Sequence, residues 1–248
     1  MTVAALSIPF ERIADHAVRR IAEKVAAGTR LTQADGIALF DTRDLTGVGI
    51  LADAVNRAKH GDVVTFAANQ HINPTNICTL RKTCVFCGYA RLPKEEGAYR
   101  YTIEQVMEEA RQAKHGLTRE FHIVGGLDMQ AGLEYYTTMF RALKAELPHV
   151  HIKALTAVEI AHIARIEKMP WDEVLSALKE AGLDTMPGGG AETFSAAVRG
   201  EIARKKLGAA DYIGVHRTAH QLGIRSNSTM LYGHVETYAD RMEHLQML

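Results

Sequence analysis

The sequence predicts an α/β fold, a partial parallel (βα) barrel with an N-terminal helical lead-in, and three observations carry that prediction. From about residue 70 onward, short strand-like runs alternate with segments of ten or more residues at helical periodicity, which specifies βα units and a parallel sheet. Five of these runs are followed by glycine-rich or polar punctuation: the cysteine segment from Cys78, Gly125-Gly126, Thr156-Ala-Val-Glu159, Pro187-Gly-Gly-Gly190 and Tyr232-Gly-His234. In βα barrels that end of the strands is where sites are built. No GxGxxG run follows any strand, which argues against an open dinucleotide-binding sheet.

The elements follow in order. Residues 1–62 read as helical and 63–248 as the partial barrel, with the lead-in expected to pack on it. Phe10, Ile13, Ala14, Ala17, Val18, Ile21 and Val25 recur at helical spacing, with Gly28 as a stop. Thr32-Gln-Ala-Asp35 has the form of a capping box, and Leu45 to Lys59 gives a third helix ended by Gly61. Val63–Phe66 and Gln70–Asn73 read as strands. Thr102-Ile-Glu-Gln105 caps a helix running to His115. Strands at 120–124, 150–155 and 183–186 alternate with helices at 133–146, 156–168, 171–181 and 209–222. Ile224–Leu231 is the last strand. The helix from Val235 carries Tyr238, Met242 and Leu245 in register and has no stop signal before Leu248, so the chain is expected to be cut short before a sixth strand.

Composition narrows the function classes. The 248 residues are 47% hydrophobic and 23% charged, which excludes disordered and fibrous chains. Basic and acidic residues balance at 29 each, and no basic run favours a nucleic acid or a membrane surface as partner. Charges at Glu11, Arg12, Asp15, Arg19 and Arg20 interrupt any secretory h-region, and no run of eighteen apolar residues exists, so a cytoplasmic protein is expected.

All three cysteines fall in one window, Cys78, Cys84 and Cys87, spaced C-x5-C-x2-C. An odd, sparse set in a reducing compartment points away from disulfides and toward metal or redox chemistry. Three readings stand. A cubane iron–sulfur cluster is held by thiolates, and three of them leave one iron open to a substrate. A structural zinc wants four ligands, and His71, the available fourth, lies back on a strand. Buried inert thiols are the third reading. Phe86 between the last two cysteines and Gly88-Tyr89 after them favour the cluster, and Arg81, Lys82 and Arg91 supply local positive charge.

The run His71-Ile-Asn-Pro-Thr-Asn-Ile-Cys78, continued by Cys84-Val-Phe-Cys87-Gly-Tyr-Ala-Arg91 and Glu96-Gly-Ala-Tyr99, resembles the radical S-adenosylmethionine (SAM) superfamily. More narrowly, the chain is similar to the aminofutalosine synthases of the futalosine route to menaquinone. That likeness also rests on Gly125-Gly-Leu127, His151–Ile160, Ala181–Glu192 and Thr229–Thr237. The cysteine spacing departs from the usual C-x3-C-x2-C by two residues, an extension that costs little loop entropy. The resemblance implies a radical SAM barrel and a 4Fe–4S cluster on Cys78, Cys84 and Cys87. It further implies SAM as radical source and co-substrate, and a low-potential electron donor such as flavodoxin or ferredoxin. The small-molecule aromatic carboxylate 3-(1-carboxyvinyloxy)benzoate would receive the 5′-deoxyadenosyl radical. Dehypoxanthine futalosine cyclases and deazaflavin-cofactor synthases are alternatives in the same branch. A zinc-binding or inactive fragment acting as a binding module is the alternative of another class.

On this resemblance Phe86, Tyr89, Gly125, Gly126, Glu192, Asn227 and Met230 are the candidate cofactor-binding residues. Gly125-Gly126 permits close backbone approach to the methionine end of SAM. Pro187–Gly190 with Ala191-Glu192 is read as opening a helix suited to an anion. Asn227, Thr229 and Met230 sit on the last strand, where a nucleoside would lie, and His234 beyond it is the candidate substrate contact. Glu159 reads as an ordinary capping residue, and His216 and His220 as a helix-face pair rather than metal ligands. His122 and His151 lie on strands, with the side they face left open.

Overall fold

A computed structural model describes residues 6–112 and 116–248. The chain divides into two compact units. One holds the chain up to Phe66 together with Gly233–Met247, the other Ala67–Tyr232 with Leu248.

The first unit is helical: a 3-10 turn at Phe10–Arg12, then α1 (His16–Ala26), α2 (Gln33–Asp41) and α3 (Leu45–His60), with the final helix at Tyr238–Met247. The single helix expected from Phe10 is interrupted because carboxylates hold the backbone at 14–18. Asp44 accepts from the Ala14 and Asp15 amides at 2.7 and 3.0 Å, and Asp15 caps α1 through the Ala17 and Val18 amides. The capping box at Thr32 and Asp35 opens α2, and Gly61, at φ +63°, ends α3. Ile13, Val18, Ile21 and Leu51 form the core of this unit.

The second unit contains β1 (Asn69–Ile72), α4 (Ile103–Arg111), β2 (Glu120–Ile123), α5 (Leu133–Glu146), β3 (His151–Ala154), α6 (Ala157–Glu167), α7 (Trp171–Ala181), β4 (Thr185–Met186), α8 (Ala196–Ile202), α9 (Ala209–Gln221) and β5 (Arg225–Ser226). The expected end of α4 at His115 falls in residues 113–115, outside the described residues. The strands form one sheet in sequence order, and every pair is parallel. The chain is thus the α/β, parallel-stranded fold expected. Ile72, Phe121, Ile123, Ile152, Ala154 and Met186 enter the main core under the helices. Strand alternation therefore sends His71, His122, Lys153, Thr185 and Arg225 to the opposite, inner face.

Three expectations are corrected. Val63–Phe66 is not a strand; Val63, Val64 and Phe66 are 68%, 87% and 93% exposed, and β-propensity without a pairing partner makes no ladder. The last strand stops at Ser226 instead of reaching Leu231, because the chain turns to the glycine-rich loop. The Thr229 hydroxyl donates to the Gly188 carbonyl at 2.7 Å, and the Leu231 amide to the Glu192 carbonyl at 2.7 Å. Pro187–Glu192 does not open a helix: Glu192 stands at φ +53°, a left-handed conformation a helix start cannot use, and α8 begins at Ala196. Among the described residues no helix is long and apolar enough to cross a membrane.

Candidate cofactor site

The cysteine loop leaves β1 and is fastened at both ends by backbone. The Cys78 amide donates to the Arg91 carbonyl at 2.9 Å, the Arg91 amide to the Asn76 carbonyl at 2.8 Å, and the Thr79 amide to the Leu127 carbonyl at 3.2 Å. Arg91 ties the closing turn by donating from Nη1 to the carbonyls of Gly88, Tyr89 and Ala90. The long interval between the first two cysteines is coiled: Arg81 bonds back to Cys78, and Thr83 and Cys84 both bond back to Leu80. The two extra residues are thereby absorbed in turns, and all three thiols line one cavity of about 220 Å³. Cys84 is buried against Val198, Ile202 and Ala203 of the α8 region.

The cavity is completed by the strand ends. Val124, Gly125 and Gly126 after β2 and Thr156, Val158 and Glu159 at the start of α6 all line it. A Cβ on Gly126 would lie 2.2 Å from the Ile77 carbonyl oxygen and 3.0 Å from Cys78 Cβ, so only glycine lets this turn meet the cysteine loop. Glu159 does more than cap. Its Oε2 accepts from the Thr156 amide and hydroxyl, both at 2.7 Å, while Oε1 accepts from the Gly125 amide at 2.8 Å. Burial pushes its carboxyl up, opposed by these hydrogen bonds and by the charge of Lys206.

Of the candidates, Cys78, Cys84, Cys87, Phe86, Tyr89, Gly125 and Gly126 share this cavity. Glu192 reaches it through an ion pair: its Oε1 lies 2.6 Å from Lys206 Nζ, and that ammonium lines the cavity 5.5 Å from the Phe86 ring centroid. Asn227 and Met230 do not line it. Asn227 is exposed, with its amide donating to Met186, while Met230 is half-buried. His234 belongs to the helical unit, where Nδ1 accepts from the Val235 amide and lies 3.0 Å from Glu236. His216 and His220 converge on the Ser226 hydroxyl, at 2.8 Å each. Sequence reasoning missed Lys206 and the reach of Glu159. Neither carried a local signal, since each acts across a long separation.

Residues 72–248 match the Radical SAM superfamily. The chain belongs to that superfamily. This radical SAM protein is 45% identical over 92% of its length to the aminodeoxyfutalosine synthase of Thermus thermophilus, and 41% over 93% to that of Streptomyces coelicolor. It is 35% identical over 96% of its length to the 5-amino-6-(D-ribitylamino)uracil–L-tyrosine 4-hydroxyphenyl transferase of Methanosphaerula palustris. The chain spans 61%, 59% and 65% of these three relatives. Among solved structures, methylornithine synthase superposes with a TM-score of 0.70 at 20% identity, covering 91% of this chain and 63% of that one, a likeness of fold.

Radical SAM proteins use a 4Fe–4S cluster and SAM, and the cysteines of this chain fit the cluster. Three thiols open onto one cavity, and they sense one another: burial raises the Cys84 thiol most, Lys206 lowers it, and Cys78 and Cys87 raise it further. Among the described residues no group of three His, Cys, Asp or Glu is drawn together around a single ion. A cubane makes no such demand, because it spreads its thiolates over separate irons.

Proposed function

We propose that this chain carries the cluster-binding and SAM-cleaving part of an aminodeoxyfutalosine synthase, which joins the 5′-deoxyadenosyl group of SAM to the enol-ether carbon of 3-(1-carboxyvinyloxy)benzoate, with rearrangement and loss of the enol-ether carboxylate as bicarbonate. The observation that carries the reading is the 45% and 41% identity to two such synthases, against 33–39% for the tyrosine 4-hydroxyphenyl transferases. When bound, the cluster supplies the electron that splits SAM into methionine and a 5′-deoxyadenosyl radical.

The rest is work for this chain's residues. Cys78, Cys84 and Cys87 would hold the cluster through three thiolates, which would leave one iron for SAM. Gly125-Gly126 offers bare backbone beside them, and Glu159 fixes that turn against α6 through the Gly125 amide. Phe86 and Tyr89 wall the cavity, and Lys206, held by Glu192, lowers the Cys84 thiol against the pull of burial. Radical addition needs no nucleophile or general base. A low-potential donor such as flavodoxin or ferredoxin is the implied partner. The test is anaerobic incubation of the reconstituted, reduced chain with SAM and 3-(1-carboxyvinyloxy)benzoate, followed by mass analysis. Aminodeoxyfutalosine is the expected product. Turnover of 5-amino-6-(D-ribitylamino)uracil with tyrosine in its place would support the transferase reading, which the 35% identity over 96% of the chain favours as second choice.

A further inference from the structure

Strands of a parallel sheet are ordinarily apolar on both faces. Here the outer face is mostly apolar and the inner face is not. On the inner face each strand presents a polar side chain, and the register sets five of them in one row: His71 beside His122, His122 beside Lys153, Lys153 beside Thr185, and Thr185 beside Arg225. We propose that this row, through Lys153 with its neighbours His122 and Thr185, grips the carboxylate of an aromatic acid substrate.

The row lacks its counter-charge. Among the described residues the side chains of Lys153 and Arg225 enter no ion pair or hydrogen bond, and His71 and His122 lie ring on ring with centroids 4.5 Å apart. Burial lowers the His122 pKa most, and His71 and Lys153 lower it further by their charge; Glu120, two residues back on β2, opposes them only weakly. Two cations with no side-chain partner among the described residues, on the same sheet face as two stacked imidazoles, leave a place for an anion. Thr185 adds a hydroxyl held by His151, whose Nε2 lies 2.7 Å from it.

Position supplies the second argument. His122 lies in β2 and Val124 directly follows its end, two residues on and about 6.6 Å further along an extended chain. Val124 already lines the cysteine cavity. A benzene ring fills such a gap, so an acid held by its carboxylate at Lys153 points its other end at the SAM-cleaving site. Lys153 and Arg225 are two strand spacings apart, about 10 Å, so the row takes one carboxylate without being bridged by it.

This inference rests on the function proposed above, and its test does not need turnover. The probes are 3-methoxybenzoate and its neutral methyl ester, titrated calorimetrically into the reconstituted protein and into Lys153→Met and Lys153→Arg. The wild type should prefer the acid. Lys153→Met should weaken acid binding about 10- to 100-fold, the worth of a charge-assisted hydrogen bond, while leaving ester binding, SAM binding and the cluster spectrum unchanged. Lys153→Arg should recover most of the acid affinity. Acid and ester binding alike, or Lys153→Met binding the acid as the wild type does, overturns the proposal. Lys153-dependent acid binding without aminodeoxyfutalosine formation supports the carboxylate site and places the error in the assigned reaction.

Discussion

Replacing Gly126 by alanine tests the closest approach in the cavity. The added Cβ would stand 2.2 Å from the Ile77 carbonyl oxygen, 2.7 Å from its carbon and 3.0 Å from Cys78 Cβ. Ordinary contact begins at 3.4 Å, so the two backbones must part by about 1.2 Å, and no flexible side chain can give way instead. The bonds that fasten this turn, Gly126 amide to Thr75 carbonyl at 2.8 Å and Thr79 amide to Leu127 carbonyl at 3.2 Å, lie across the parting. The cost falls at the upper end of overpacking, about 3 kcal/mol, or a Tm lower by about 6–12 °C for a unit of this size. Because Cys78 moves with Ile77, iron retention after reconstitution should fall more than stability does. Gly200→Ala is the control: it sits exposed in α8 with nothing within 4 Å of the new methyl, so it should gain up to about 1 kcal/mol. Scanning calorimetry and iron analysis of both variants are the assay. A Gly126→Ala protein with the wild-type Tm and iron content would refute the reasoning.

Other outcomes follow from the same geometry. Glu159→Gln sets an amide donor against a buried amide or hydroxyl donor and should cost about 1–3 kcal/mol in urea unfolding, with weaker SAM binding in calorimetry as Gly125 loosens; unchanged SAM affinity would reduce Glu159 to a cap. His216 is 8% exposed, and its Nε2 is buried with no hydrogen-bond partner among the described residues. Burial, aided by the charge of His220, lowers its pKa from 6.5 to about 4. A depressed pKa means that the unfolded chain binds the proton first. Stability is therefore full above about pH 6.5 and lost as pH falls toward 4, by up to about 3 kcal/mol. Unfolding free energies measured across that window should slope in the wild type and flatten at this step in His216→Leu.

Much of the fold was legible because helices announce themselves locally. Caps at Thr32, Thr102 and Thr156 and the stop at Gly61 sit at the element ends observed, and 133–146 is helical end to end. The parallel sheet followed from alternation of elements. What failed depends on distant partners. Val63–Phe66 has strand composition but no ladder to join, and 227–231 leaves its ladder for bonds to Gly188 and Glu192 that no window of sequence contains. In the site, the grouping of the three cysteines was visible from their spacing and their place after the first paired strand. Glu159 looked like a cap because its near partner is three residues away, whereas its second oxygen binds Gly125, 34 residues back. The inner-face row did leave a signal: His71, His122 and Lys153 each precede an apolar residue on strands that a parallel sheet would otherwise make apolar throughout.

The central claim is that Cys78, Cys84 and Cys87 together hold a cubane with one iron open to SAM. Anaerobic reconstitution, with iron and sulfide analysis and electron paramagnetic resonance of the reduced protein before and after SAM addition, tests it directly. The account predicts a brown protein with about four irons and four sulfides per chain, a signal that changes when SAM binds, and loss of both on Cys→Ser exchange at any of the three positions. A colourless protein carrying one zinc per chain, or a cluster signal indifferent to SAM, would contradict it.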